Sequence, residues 1–305
     1  MRAIDLFAGC GGSSTGALMA GCEVVWAANH WLAAVQVHKN NHPDIEHICQ
    51  DLHQADWSQV PAHDLLLASP CCQGHSKARG KHRPQHDASR STAWAVVSCA
   101  EYHRPEAIVV ENVPEFLDWE LYPVWEMAMQ TMGYSLSPHM IDAADCGVPQ
   151  NRKRMFVVGT RSESPIKLKL KKRPHVGARN VIDFDSGKWS LINKPGRSGA
   201  TLARVANGRS SFGDRFVMPY YGSGSGLTGR DLDRPIGTVT TRDRWAVVDG
   251  DKMRMVTAEE YKVFMGFPVD YQLPAKSKSL AIHLIGNAVC PPVMRDIITE
   301  LKKVA

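Results

Sequence analysis

The feature that most constrains this chain is the regular alternation of strand-like and helix-like segments over its first 160 residues. Short apolar runs at Arg2–Phe7, Glu23–Ala28, His47–Leu52, Asp64–Ser69, Ala107–Glu111 and Arg154–Thr160 read as strands. Helical patterns fall between them near Ser13–Ala20, Trp31–Asn41, Ser91–Arg104 and Glu120–Met132. Strands that alternate with helices must pair in parallel and be covered on both faces. The predicted fold is therefore α/β, a doubly wound and mostly parallel sheet. Folds of this kind hold their ligands at the carboxyl ends of the strands.

The pattern fades after Thr160. Residues 161–250 are rich in Lys, Arg, Gly, Ser and Pro, include the loop-like Tyr221-Gly222-Ser223-Gly224-Ser225-Gly226, and predict a smaller, irregular domain with short strands such as Trp245–Val248. Regular patterning returns at Thr257-Ala258-Glu259-Glu260, a capping box, and Pro291-Pro292 opens a final amphipathic helix through Leu301. The expected organisation is a catalytic and cofactor-binding domain over 1–160, a recognition region over 161–250, and a segment over 251–305 that returns to the first domain. No apolar run reaches membrane-spanning length and no leader is visible, so a cytoplasmic location is expected. The eight cysteines show no CxxC pair, which argues for reduced thiols and against a zinc site or a disulfide framework. A net charge of +5 permits an acidic partner without requiring one.

Five segments carry candidate chemistry. The first, Asp5-Leu6-Phe7-Ala8-Gly9-Cys10-Gly11-Gly12, joins a strand to a helix; its glycines permit a tight turn and close approach to a nucleotide-like ligand. Such a turn also serves as a plain connection. The second is the loop Ser69-Pro70-Cys71-Cys72-Gln73-Gly74-His75-Ser76, with two thiols in polar surroundings at a strand's end. The basic run Lys77, Arg79, Lys81, His82, Arg83 and Arg90 follows, suited either to a solvated surface or to a lid on a phosphate backbone. Third, Glu111-Asn112-Val113 places a carboxyl at the end of an apolar strand, where desolvation favours its protonated form; a structural acid paired with an arginine is the alternative. Fourth, Gln150-Asn151-Arg152-Lys153-Arg154 can clamp a phosphate or a carboxylate, or form a solvated face. Fifth, Gly286-Asn287-Ala288 reads as a glycine turn.

Taken together and in order, these motifs resemble those of the cytosine-C5 DNA methyltransferases, and the resemblance runs through nearly the whole chain. Asp5–Gly12 is similar to that family's cofactor-binding opening. Pro70–Ser76 resembles its Pro-Pro-Cys-Gln-Gly-Phe-Ser loop, Glu111-Asn112-Val113 its Glu-Asn-Val, and Gln150, Arg152 and Arg154 its Gln-x-Arg-x-Arg. Arg234-Pro235 with Thr238 resembles the motif closing the recognition region, and Gly286-Asn287-Ala288 the last motif. The resemblance implies a Rossmann-like class I methyltransferase fold and S-adenosylmethionine as cofactor, with Phe7, Gly9 and Gly11 lining it. Asp51 would meet the adenine amino group, Asn29 and His30 would stand at the ribose, and Asn287 would lie nearby. The family cysteine precedes the glutamine, so Cys72 is the implied nucleophile, and its thiolate adds to C6 of a flipped cytosine. Glu111 would stabilise the adduct at N3, with Arg154 near the base and Arg152 near the backbone. Gln73, Ser76, Arg79 and Gln150 would contact double-stranded DNA. A monomer is expected, and nothing in the sequence reveals a companion restriction endonuclease.

Three positions depart from the family pattern. Asn29 replaces the glutamate that bonds the ribose hydroxyls, which raises a modified S-adenosylmethionine bearing its own negative charge as an alternative cofactor. His75 replaces phenylalanine; as a cation it would lower the pKa of a neighbouring thiol, and as a neutral ring it would pack. Cys71 replaces a proline, which frees the backbone and adds an N–H donor. The rival functions are an RNA cytosine-C5 methyltransferase, whose Cys-Phe-Thr segment is lacking here, and a catalytically inactive nucleic-acid-binding relative. A zinc deaminase would need a Pro-Cys-x-x-Cys spacing that Pro70-Cys71-Cys72 does not supply. Target specificity is expected in 161–250, with Arg197, Arg204, Arg209, Arg215, Arg230 and Arg242 as candidate contacts.

Overall fold

A computed structural model describes residues 1–71, 91–220, 229–274 and 277–304. The chain divides into two compact units. The first comprises 1–142, 153–171 and 288–305; the second comprises 143–152 and 172–287. These borders differ from the expected ones at 160 and 250. Residue 250 falls in the turn of a hairpin, where Asp249 pairs with Lys252, so nothing can separate there.

The first unit is built on a seven-stranded sheet: β1 (Arg2–Leu6), β2 (Glu23–Asn29), β3 (Glu46–Cys49), β4 (Leu65–Ala68), β5 (Ala107–Asn112), β6 (Ser135–Asp142) and β7 (Lys153–Thr160). The spatial order is β3-β2-β1-β4-β5-β7-β6, parallel except where β7 runs antiparallel between β5 and β6. This is the doubly wound class that the alternation predicts. β4 and β5 are buried at every position, which explains why they read as continuous apolar runs rather than alternating ones. β6 escaped the sequence reading because its Ser, Pro and His residues break the apolar pattern. It lies at the sheet edge, the place where a strand tolerates Pro138.

Helices α1 (Gly12–Met19), α2 (Leu32–Asn41), α3 (Ala93–His103) and α4 (Tyr122–Thr131) alternate with these strands. Much of the core gathers around Ile4, Leu6, Trp26, Val110 and Val157, with Phe116 and Trp125 packed against them. The closing helix of this unit, Pro291–Leu301, buries Val293, Met294, Ile297, Ile298 and Leu301 along one stripe. It lies against α1, and two glycines make that approach possible. A Cβ on Gly12 would stand 2.1 Å from the Val289 carbonyl oxygen, and one on Gly16 would stand 2.5 Å from that of Pro291.

The second unit holds a four-stranded antiparallel sheet made of β8 (Ser190–Leu191), β9 (Arg215–Pro219), β10 (Trp245–Asp249) and β11 (Lys252–Met255). Helix α5 (Gly199–Phe212) packs on β9, and Ile192, Val205, Phe216, Met218, Ala246, Val248 and Met253 form its core. The irregular domain expected here is thus a regular sheet with a helix. α5 gave no apolar period because it buries Thr201, Val205 and Gly208, two of them not hydrophobic. Gly208 lets the helix close on the Phe216 ring, which an added Cβ would meet at 2.3 Å. The capping box opens α6 (Ala258–Phe264) as expected, with both reciprocal bonds present. Gly286 is not in a free turn but in the last turn of α7 (Lys278–Asn287); the closing helix Pro291–Leu301 of the first unit is α8.

Candidate active site

In the first unit, the sheet order reverses between β1 and β4, so the loops after these strands leave side by side. Leu6 pairs with Ala68 at the strand ends, and Ser69 N donates to Leu6 O at 3.1 Å. The loop after β1 carries Phe7, Gly9 and Gly11 with φ of 58°, 56° and 93°. Phe7 pays the left-handed penalty that the two glycines avoid, and such strain clusters at ligand sites. A Cβ on Gly9 would meet nothing nearer than Phe7 O at 4.0 Å, so the loop leaves open room beside it. Gly11 stands at the N-cap of α1 with no side chain covering the first-turn amides.

β2 ends at Asn29, whose Oδ1 accepts from Trp31 N at 2.9 Å. His30 is exposed beside it. Asp51 caps a short turn by accepting from His53 N at 3.0 Å and His53 Nδ1 at 2.8 Å, through the same carboxylate oxygen. The backbone and side-chain bonds from His53 hold its carboxyl below the usual range. Exposed and ionised, it can receive an amino group.

Pro70 and Cys71 follow β4. Asn112, at the end of β5, donates through Nδ2 to Pro70 O at 3.1 Å, which ties the Glu-Asn-Val segment to the cysteine loop. The extra donor expected at Cys71 has an acceptor: its N–H donates to Thr92 Oγ1 at 3.0 Å. Neither Thr92 nor the role of Asn112 was foreseen, and only the second lay within a recognised motif. Glu111 is buried beside Arg154, with Oε1 3.3 Å from Arg154 Nε. β7 runs antiparallel to β5, so its opening residue pair brings Arg154 to the edge where β5 ends. Cys72, Gln73, His75, Ser76 and Arg79, with the basic run through Arg90 and the loop at 221–226, lie outside the described residues.

Two expected contacts take other roles. Gln150 is wholly buried in the second unit, not presented to DNA. Its Nε2 donates to Phe264 O, and its Oε1 accepts from Val239 N at 2.6 Å. Arg152 is also buried; its two Nη atoms donate to Val239 O and Gly286 O at 2.9 and 3.0 Å. These bonds fasten three segments far apart in sequence: the Gln-x-Arg run, residues 236–240 and the end of α7. Thr238 Oγ1 adds a bond to Asn151 O, and a Cβ on Gly286 would strike the Thr240 carbonyl carbon at 2.4 Å. Arg152 thus acts as a brace where a grip on the nucleotide was expected. Asn287 is exposed at the end of α7. Of the arginines considered for target contact, Arg197, Arg209, Arg215 and Arg230 are engaged with neighbours in their own unit, while Arg242 is exposed.

The family model for C-5 cytosine-specific DNA methylase matches residues 1–303. The chain belongs to that family. The methylase is similar along its length to Type II methyltransferase M.HgiDI of Herpetosiphon aurantiacus, 29% identical over 95% of this chain and 90% of the relative. It also resembles Type II methyltransferase M.NlaX of Neisseria lactamica, 26% identical over 99% and 96%. In fold it is similar to Spodoptera frugiperda DNMT2, with a TM-score of 0.76 at 18% identity over 99% of both chains. The methylase therefore has the class I methyltransferase fold, and its enzyme class is DNA cytosine-C5 methyltransferase. Among its described residues no helix is long and apolar enough to cross a membrane.

Proposed function

We propose that this protein methylates cytosine at C5 in double-stranded DNA, with Cys72 as nucleophile and S-adenosylmethionine as the methyl donor. The observation that carries the reading is the convergence of the open Phe7–Gly12 turn, the Pro70-Cys71 loop and the Glu111–Arg154 pair at the carboxyl ends of β1, β4 and β5 in one sheet. The loop fits the cofactor: it leaves space at Gly9, and Asp51 offers an exposed carboxylate. Phe7, Gly9, Gly11, Asp51, Asn29 and His30 would hold it. When bound, the cofactor supplies an electrophilic methyl group on a sulfonium.

The chain's own residues do the rest. Cytosine C5 is a poor nucleophile until C6 accepts a thiolate, after which the ring is an enamine. Cys72 provides that sulfur. Glu111 holds a proton at N3 as charge develops there, and Arg154 orients the Glu111 carboxyl. Loss of the C5 proton then expels Cys72 and restores the ring. Cys71 and Thr92 fix the backbone immediately before the nucleophile. Gln73, Ser76 and Arg79 would grip the DNA around the flipped base, and residues in the second unit would read the target.

The name Type II methyltransferase carried by the relatives supports a modification enzyme. Sequencing plasmid DNA from cells that express the protein, with the C5 substituent identified by mass spectrometry, tests the reading. It predicts 5-methylcytosine in one sequence context, absent with Cys72→Ala. Unmodified cytosine in the expressing cells would refute it. An uncharged Asn29 in place of an acid makes a negatively charged analogue of the cofactor the alternative. Calorimetry that finds binding of S-adenosylmethionine alone would dismiss it.

A further inference from the structure

Beneath the Phe7–Gly12 loop a line of hydrogen bonds runs through the first unit from its interior to a partly exposed histidine. Asp5, wholly buried in β1, accepts from Ser14 Oγ on α1 at 2.7 Å. Ser14 Oγ lies 2.9 Å from His38 Nε2 on α2, and His38 Nδ1 lies 2.6 Å from His47 Nε2 on β3. Ser14 and His38 are buried, whereas His47 reaches the surface in part. Both ends carry an unsatisfied atom: Asp5 Oδ1 and His47 Nδ1 are buried with no hydrogen-bond partner among the described residues. Nothing in the expected chemistry uses these groups.

The atoms in this line permit two complete arrangements. With Asp5 ionised every donor points inward: His47 Nε2–H to His38 Nδ1, His38 Nε2–H to Ser14 Oγ, and Ser14 O–H to Asp5 Oδ2. His47 Nδ1 is covered, so it gains a proton only as the half-exposed ring moves, and that proton starts three hops. The His47 Nε2 proton passes to His38 Nδ1, the His38 Nε2 proton to Ser14 Oγ, and the Ser14 hydroxyl proton to Asp5 Oδ2. One proton has entered, Asp5 is neutral, every donor is reversed, and both histidines are again neutral in the other tautomer. We propose that Asp5, Ser14, His38 and His47 form a proton relay by which solvent sets the charge beneath the cofactor loop, and that a cationic ligand at that loop expels one proton through it.

The surroundings suit this use. Burial, only partly offset by the Ser14 bonds, pushes the Asp5 carboxyl up to about 7, so both arrangements are populated near neutrality. Burial, reinforced by the rings of His42 and His47, keeps His38 well below the usual histidine range, so it can pass a proton without storing one. Burial above all lowers the pKa of His47, the Ile45 backbone partly offsets this, and Lys39 adds to it. His42 is the other titratable ring at hand, 5.0 Å from His38 between centroids, and is pushed down to about 4 mainly by burial. Its Nε2 lies 3.0 Å from Thr15 Oγ1, which donates to Gly11 O at 2.7 Å. Cys10 on the same loop is pushed up to about 12 by burial and stays protonated. Asp5 is therefore the group on this line whose charge changes near pH 7. A buried anion there attracts a cation more strongly than it would in water.

The second half of the proposal rests on the reading of Phe7–Gly12 as the cofactor loop, so the test has two arms. In the first, the ligand-free protein with 15N-labelled histidines is followed by NMR from pH 5.5 to 8.5. His38 should switch from the Nε2–H to the Nδ1–H tautomer as pH falls through about 7. The switch should vanish in Asp5→Asn and in Ser14→Ala, both checked for native circular dichroism. A His38 that keeps one tautomer in the wild type, or becomes an imidazolium, overturns the relay. In the second arm, S-adenosylmethionine should lower the midpoint by about one unit, equal to roughly fivefold tighter binding at pH 8 than at pH 6. Its neutral thioether product should leave the midpoint in place. A midpoint unmoved by bound S-adenosylmethionine overturns the coupling. A tautomer switch with neither compound bound upholds the relay and refutes the cofactor reading instead.

Discussion

Replacing Asp5 with asparagine should change how stability depends on pH, in a direction set by burial. The carboxyl is wholly enclosed, and desolvation raises it from 3.8 to about 7 in the folded protein. The folded state then holds a proton that the unfolded state has lost across this interval. Its contribution to stability is present below pH 3.8 and is lost as pH rises toward 7. At about 1.4 kcal/mol per pH unit, the full loss comes to about 4 kcal/mol. Buried histidines act with the opposite sign. His42 and His63 are each pushed down to about 4 by burial, so what they contribute is present above 6.5 and is lost as pH falls toward 4. In the wild type the two trends oppose each other and flatten the profile. Asp5→Asn removes one of them. Urea unfolding at pH 4.5, 5.5, 6.5 and 7.5 should show the stability of the variant, relative to wild type, rising by about 1.4 kcal/mol per unit up to pH 6.5 and levelling off above it. A difference independent of pH would show that Asp5 ionises as an exposed carboxyl does, and would refute the burial argument.

Other expectations follow from particular contacts. Gly12→Ala forces a methyl into the Val289 backbone at 2.1 Å and should lower stability by about 3 kcal/mol or prevent folding, read by thermal unfolding. Arg254 and Glu260 form a two-bond buried pair at 2.8 and 2.6 Å in the second unit; Glu260→Ala, which strands the guanidinium, should cost about 3–5 kcal/mol by chemical denaturation. Thr92→Val removes the acceptor for Cys71 N–H and should reduce kcat severalfold, by about 1 kcal/mol, with little change in KM for DNA. Cys71→Pro, which removes the donor, should make the Thr92→Val change silent.

The central sheet was legible because β4 and β5 are buried on both faces and read as continuous apolar runs. The parts that escaped are those whose logic is tertiary. β6 is a strand because it completes an edge, and α5 is a helix because Gly208 and Thr201 fit beneath Phe216 and its sheet. Neither carries the periodicity that a sequence displays. Among site residues, Glu111 and Arg154 could be placed by motif, and the structure adds that they touch. Gln150 and Arg152 looked like surface cations and amides in a polar run, yet their partners are backbone carbonyls and an amide more than eighty residues away. The Asp5–Ser14–His38–His47 line crosses two strands and two helices, so no local pattern could announce it.

The most direct test of the account is covalent trapping on DNA in which cytosine is replaced by 5-fluorocytosine, in the presence of S-adenosylmethionine. Fluorine at C5 cannot leave as a proton does, so an enzyme that attacks C6 remains bound. Wild-type protein and Cys71→Ala should both yield a denaturation-resistant complex, and peptide mapping should place the crosslink at Cys72. A complex that forms equally well with Cys72→Ala, or none at all on DNA that the protein demonstrably methylates, would contradict it.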